Sequence, residues 1–223
     1  MAKKIVLAII SGALFGALTY ALGVYDRGAI GPGGSEVGFA KINGYVHQMT
    51  GVNDSWYELT ELLGNAAICV AAVFAFIGLF QLVRRRSLLQ VDREILALGI
   101  LYAVVIGFYV MFEKVVINCR PVLISGDIYP EPSYPSSHTM LVIAVMGSAM
   151  MLIKKFIRNK ALNVVLRAAC AVLMLITVVG RLWSGYHWFT DIVGGVLLSI
   201  CLLSLYSCSF NRKGMIGGYS PKH

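Results

Sequence analysis

The sequence predicts an all-α fold, a six-transmembrane-helix bundle with an amphipathic interfacial helix in the first outer loop. Three observations predict it. Of the 223 residues, 58% are hydrophobic and only 13% are charged, whereas a soluble domain carries about a quarter charged residues. The apolar residues gather into six blocks, each near the ~20 residues a helix needs to cross ~30 Å of hydrocarbon. The basic residues then fall on one side of that layout: Lys3, Lys4, Arg84, Arg85, Arg86, Arg93, Lys154, Lys155, Arg158, Lys160, Arg167, Arg212, Lys213 and Lys222. An excess of Lys and Arg marks the cytoplasmic side, so both termini are expected inside.

The blocks run over about 4–24, 62–83, 95–113, 138–153, 167–182 and 188–207. The first follows Lys3 and Lys4 as a signal peptide would. Its apolar run exceeds the ~7–15 residues of a signal core and no small-x-small cleavage site follows, so a retained helix is expected. Residues 25–61 form the longest outer segment. Gly31-Pro32-Gly33-Gly34 marks a loop. Phe39, Ile42, Val46 and Met49 then recur at helical spacing, with Lys41, Asn43 and Gln48 on other faces, the pattern of a short helix lying on the membrane surface. His47, beside that stripe, reads as an interfacial polar residue, and Asn53-Asp54-Ser55 matches a glycosylation sequon.

Arg84 to Arg86 and the stretch from Lys154 to Arg167 read as basic inner loops facing anionic lipid. The fourth and fifth blocks are short and are expected to draw in flanking residues. The tail from Ser209 reads as an inner end. One membrane domain, 1–223, is expected, with its motif-bearing core at about 95–210.

The net charge of +8 is spent on topology and gives no support for a nucleic-acid partner. The side opposite the basic loops holds nine of the eleven acids and only Arg27, Lys41, Lys114, Arg120 and Arg181. Cys69, Cys170, Cys201 and Cys208 lie in or beside spans, where cysteine acts as a small hydrophobe. Only Cys119 falls near an outer loop. The five cysteines show neither a disulfide framework nor metal-ligand spacing.

Polar residues at membrane depth are costly and point to function. Three clusters break the apolar pattern, all on the outer side: Glu113-Lys114 through Arg120-Pro121, Pro135-Ser136-Ser137-His138, and Arg181 followed by His187 and Asp191. His187 and Asp191 stand four apart, so on a helix they share a face. A carboxylate on one ring nitrogen fixes the tautomer and leaves the other as a directed nucleophile. Arginine matches phosphate oxygens bidentately, so Arg120 and Arg181 together describe a tetrahedral dianion site. Ser136 or Ser137 can cap a helix whose free amides favour an anion, and His138 near that end can serve as a general acid.

These motifs resemble those of the type-2 phosphatidic acid phosphatase family of membrane lipid phosphatases, whose signatures are K-x6-R-P, P-S-G-H and S-R-x5-H-x3-D. Here they read Glu113-x6-Arg120-Pro121, Pro135-Ser136-Ser137-His138 and Gly180-Arg181-x5-His187-x3-Asp191. The resemblance covers roughly 95–210 and implies a metal-independent hydrolase without a cofactor, acting on a lipid phosphate in the bilayer. It implies that His187 attacks phosphorus, Asp191 orients it, and His138 protonates the leaving group. Arg120, Arg181 and Ser136 would hold phosphate oxygens, with Ser137 and Lys114 as further candidates. Three departures stand out: Glu113 occupies the lysine register with Lys114 one residue later, Ser137 replaces glycine, and Gly180 replaces serine.

Two other functions fit parts of the pattern. Glu113 and Gly180 suit a member that binds lipid phosphate without turnover. The His187–Asp191 pair suits a proton-coupled transporter, although transport sites lie near the bilayer midplane and these residues are expected at helix ends. The sequence does not separate phosphatidylglycerophosphate, undecaprenyl pyrophosphate and phosphatidate as substrates.

Overall fold

A computed structural model describes residues 1–124 and 128–210. Arg212, Lys213, Lys222 and most of the tail from Ser209 lie outside the described residues. Seven helices are present among the described residues: α1 (Ala2–Val24), α2 (Ala40–Thr50), α3 (Asp54–Arg85), α4 (Arg93–Lys114), α5 (Ser137–Phe156), α6 (Lys160–Ser184) and α7 (Phe189–Tyr206). All but α2 are long and apolar enough to cross a membrane.

The fourth and fifth spans do draw in flanking residues, reaching 20 and 25 residues. The larger departure is in α3. It starts at Asp54, eight residues before its apolar block, because the Asn53 carboxamide oxygen accepts the Trp56 N–H (3.1 Å). A side-chain oxygen satisfying a first-turn amide is what starts a helix. The extra turns put Trp56, Tyr57, Thr60 and Glu61 on a rigid element.

The bundle is layered around α5 and α7. About half of each apolar window is buried in these two helices, 56% and 50%, against 6% for α3 and 11% for α6. α5 presents two apolar faces. Met140 and Ala144 join Phe15, Leu98, Leu101 and Leu198 from α1, α4 and α7. Val142, Val145, Met146 and Ala149 meet Ala67 of α3 and Cys170 of α6. Lipid tails are as apolar as these side chains, so close packing and polar contacts between helices must hold them together. One such contact joins Tyr102 Oη of α4 to Ser148 Oγ of α5 at 3.2 Å.

The start of α1 lies against the end of α7. Lys4 Nζ donates to the Ser207 carbonyl (2.5 Å), joining the start of α1 to the end of α7. Lys155 at the end of α5 pairs with Glu94 at the start of α4 (2.7 Å).

α2 forms where the periodicity places a helix, but its anchor is polar. Asn43 is fully buried. Its Nδ2 donates to Thr190 Oγ1 (2.9 Å) and its Oδ1 accepts the Thr190 N–H (3.1 Å). A buried carboxamide thereby satisfies one of the free amides in the first turn of α7. Ile42, Tyr45 and Met49 stay exposed.

Candidate active site

The site forms where α3 and α5 begin, α6 ends and α7 begins. α6 stops at Gly185, with φ 72°, in a space where a Cβ would fall 1.9 Å from the Gly51 carbonyl oxygen. A left-handed turn with no room for a side chain requires glycine. The chain then passes through Tyr186, His187 and Trp188 into α7.

His187 is 3% exposed and held from three sides. Nδ1 lies 3.1 Å from the Ser133 carbonyl oxygen and 3.7 Å from Asp191 Oδ2, while Nε2 lies 3.3 Å from Arg120 Nη1. A carbonyl can only accept, so Nδ1 carries the hydrogen and Nε2 keeps its lone pair in the neutral ring. Burial, and then the positive charges of Arg120, Arg181 and His138, push the imidazole well below its ordinary value of 6.5. It stays neutral, with a free lone pair aimed beside a guanidinium.

The four-residue spacing does bring Asp191 beside His187, but the closer partner of Nδ1 is Ser133. Asp191 Oδ2 also accepts the Trp188 N–H (3.0 Å) in a capping arrangement that closes the first turn of α7. Oδ1 is buried without a partner. The carboxylate serves both the helix end and the surroundings of His187.

Ser136 caps α5. Its Oγ accepts the Thr139 N–H (3.4 Å) and its own N–H donates to the Asp191 carbonyl (3.0 Å), tying the second cluster to the third. The O–H of Ser136 is left as a donor. Ser137 lines an open cleft with His187, Arg120 and Glu113, walled by Phe108 and Phe112 of α4. Lys114 is exposed, lies outside the lining of that cleft, and forms no ion pair with a described residue. Arg120 Nε pairs with Glu131 Oε2 at 3.0 Å, so the carboxylate beside this arginine comes from the loop before α5 rather than from Glu113.

Arg181 is fully buried. Its guanidinium carbon lies 5.1 Å from the centre of the Tyr57 ring, Nη2 pairs with Glu61 Oε1, and both Nε and Nη1 are buried without partners. A buried cation with open donors is a strong anion ligand, because an unmade hydrogen bond in low dielectric is costly.

Glu61 was not among the residues the sequence singled out. Its other oxygen lies 3.2 Å from His138 Nε2, so one carboxylate bridges the second and third motifs. α3 is shaped for this. A Cβ on Gly64 would fall 2.6 Å from His138 Cδ2 and 3.1 Å from Nε2. The absent serine at Gly180 has a similar cause, since a Cβ there would sit 2.7 Å from Thr60 Cγ2 and 3.0 Å from the Trp56 ring. Among the described residues no group of three or more His, Cys, Asp or Glu is arranged to hold a metal ion.

Six membrane-length helices define a multi-pass membrane protein, with polar and cationic side chains gathered at one end of the bundle. The model of the PAP2 superfamily matches residues 114–215 of the chain. Glu113 lies just before the first matched residue. The fold is similar to the crystal structure of a transmembrane PAP2-type phosphatidylglycerolphosphate phosphatase from Bacillus subtilis. The TM-score is 0.65 at 14% identity, over 96% of this chain and 98% of that one. No sequence match was found among curated proteins.

Proposed function

We propose that the chain is a metal-independent lipid phosphatase that hydrolyses a phosphomonoester or pyrophosphate of a membrane lipid through a phosphohistidine at His187. The observation that carries this reading is the held imidazole, with Nδ1 on the Ser133 carbonyl and Nε2 beside Arg120. Nε2 attacks phosphorus as the bond to the leaving oxygen breaks, and that oxygen takes a proton from His138. Water then attacks the phosphohistidine, His138 takes the water's proton, and inorganic phosphate leaves. Arg120, Arg181 and the Ser136 and Ser137 hydroxyls hold the phosphate oxygens, and Asp191 supports the imidazole. Lys114 takes no part in this scheme.

The apolar wall of the cleft, Phe108 and Phe112, suits the proximal part of a lipid chain. The segregation of basic residues supports termini in the cytoplasm and a site on the opposite face. With that orientation, the exposed Ile42, Tyr45 and Met49 let α2 lie at the outer interface.

The test is phosphate release from phosphatidylglycerophosphate, undecaprenyl pyrophosphate and phosphatidate by purified protein in EDTA. Turnover of at least one is expected, and His187→Ala should fall to background with ³²P no longer trapped on the protein by acid quench. Wild-type turnover in His187→Ala would end this reading. Glu113 and Gly180, standing where the resemblance has lysine and serine, favour one alternative, a member that binds lipid phosphate without hydrolysing it. Binding of all three lipids with no phosphate release would establish that alternative.

A further inference from the structure

We infer that Glu61 is a positioning residue for this hydrolysis: its carboxylate fixes the His138 ring and the Arg181 guanidinium together, making His138 Nδ1 the nitrogen that passes the proton. The inference rests on the proposed reaction, and it adds a component from α3, outside the three motifs.

The geometry is specific on both sides. Glu61 Oε2 lies 3.2 Å from His138 Nε2, and Oε1 pairs with Arg181 Nη2. The Cδ2–Nε2 edge of the imidazole packs on α3, where Gly64 leaves no room for a methyl group. The opposite edge, carrying Nδ1, therefore points away from α3, and Nδ1 is buried without a partner. Arg181 shows the same division. Nη2 is taken by Glu61, while Nε and Nη1 are buried and unpartnered. One carboxylate thus occupies one nitrogen of each side chain and leaves the remaining buried nitrogens open.

A carboxylate accepts only, so it holds a hydrogen on Nε2 whether the ring is neutral or charged. The charged ring then gives Nδ1–H to the leaving oxygen and becomes the Nε2–H tautomer without turning over. In the second half-reaction the Nδ1 lone pair takes the proton of the attacking water, and the charged ring is restored. Partners that fix a ring's tautomer and orientation in this way typically change activity by about 10- to 100-fold when removed, as measured around metal-bound histidines.

The experiment compares two leaving groups in the full-length protein in detergent. A lipid phosphate expels an alkoxide that needs a proton. p-Nitrophenyl phosphate expels a phenolate that does not. Glu61→Gln, nearly isosteric, should lower the ratio of lipid to aryl kcat by about tenfold or more, consistent with loss of part of a general-acid contribution of ~10²–10⁴. His138→Gln should lower the ratio at least as far, and Glu61→Asp should restore part of it. A merely structural role would lower both substrates alike, and an unchanged ratio in Glu61→Gln would overturn the inference. So would unchanged kcat with tighter inhibition by inorganic phosphate, which would make Glu61 a competing anion. His187→Ala separates this from the reading beneath it: if it still turns over both substrates, the phosphohistidine scheme fails. If it is inactive while the Glu61→Gln ratio is unchanged, only the role of Glu61 fails. Should Glu61→Gln melt early, the ratio in Glu61→Asp decides, since that carboxylate is retained but displaced.

Discussion

The two ends of the bundle both gather charge, and they treat it in opposite ways. At the end where α1 and α4 start the charges close on one another. Lys155 Nζ meets Glu94 Oε2 at 2.7 Å, and Arg85 Nη1 meets Asp92 Oδ1 at 3.0 Å. Gln81 exchanges two further hydrogen bonds with Asp92. Among the described residues only Arg167 Nε and Ser209 Oγ are buried without a partner near that end, on different elements. At the motif-bearing end most of the buried unpartnered atoms gather in the motif region, namely Arg181 Nε and Nη1, His138 Nδ1, Thr139 Oγ1, Asp191 Oδ1 and Asn118 Nδ2, while Ser35 Oγ and His47 Nδ1 lie apart from it. Closed ion pairs anchor a helix end, whereas open donors and acceptors at the meeting point of four helices describe a place for a ligand.

The comparison is broken most decisively at Arg181. Arg181→Ala removes the buried cation and should lower kcat by about 10²–10³-fold, the range for deleting one preorganised donor to developing charge. Arg181→Lys should restore little, because an ammonium cannot hold Glu61 and present two further donors in one plane. Steady-state kinetics with any of the three lipid phosphates checks this. A lysine variant near wild-type activity would mean that charge alone is needed there.

The acidity of His187 provides a smaller and more diagnostic effect. Burial and the neighbouring positive charges hold the imidazole well below 6.5. The neutral, nucleophilic form therefore persists as pH falls through 6.5 and is lost only below it. The acid limb of kcat/KM should lie under 6.5. Arg120→Ala removes one positive neighbour and should move that limb to higher pH, in addition to weakening phosphate binding. An acid limb that stays in place in Arg120→Ala would show that Arg120 does not act on the nucleophile's charge.

The membrane fold was legible because its determinants are periodic and local: six apolar blocks, basic loops on alternate turns, and a stripe over Phe39 to Met49. The site was legible as far as the three motifs carry it, since the second and third clusters share the Ser136 N–H to Asp191 carbonyl bond and Arg120 reaches His187. The rest depends on contacts between distant parts of the chain. Glu61 meets Arg181 across 120 residues, and before the packing of α3 is known it reads as one outer acid among nine. Gly64, three residues on, is the only local hint that something approaches that face. The Ser133 carbonyl, which holds Nδ1 of His187, belongs to the main chain and has no residue signature. Asn43 was read as facing away from its helix's apolar stripe, yet its carboxamide is what docks α2.

Gly180 supplies a test of packing rather than chemistry. Gly180→Ser restores the residue that the resemblance leads one to expect, but its Cβ would meet Thr60 and Trp56 of α3. Overpacking of this kind costs about 1–3 kcal/mol, and a thermal melt in detergent should show a lower transition. Thr60→Ser in the same chain removes the nearer methyl group and should recover part of the loss. A stable and more active Gly180→Ser would mean that α3 shifts readily, which would weaken the case that Glu61 is rigidly placed.

The smallest effect belongs to the end that carries the Lys155–Glu94 pair. Lys155→Met breaks the pair with Glu94, which is itself mostly buried. The loss should appear as a lower melting transition, because a partly desolvated carboxylate then lacks its cation. Changing Glu94→Gln in the same chain should restore much of it by removing the orphaned charge. Turnover per folded molecule should stay within about twofold in both variants, as for substitutions far from a site's own contacts. The same logic applied at the motif-bearing end predicts a different pattern: removing Glu61 beside Arg181 should leave the guanidinium less fixed and alter turnover. A large fall in turnover from Lys155→Met would show that the Lys155–Glu94 pair sets the geometry of the motif-bearing end through α5, and the two ends would then have to be treated as one device.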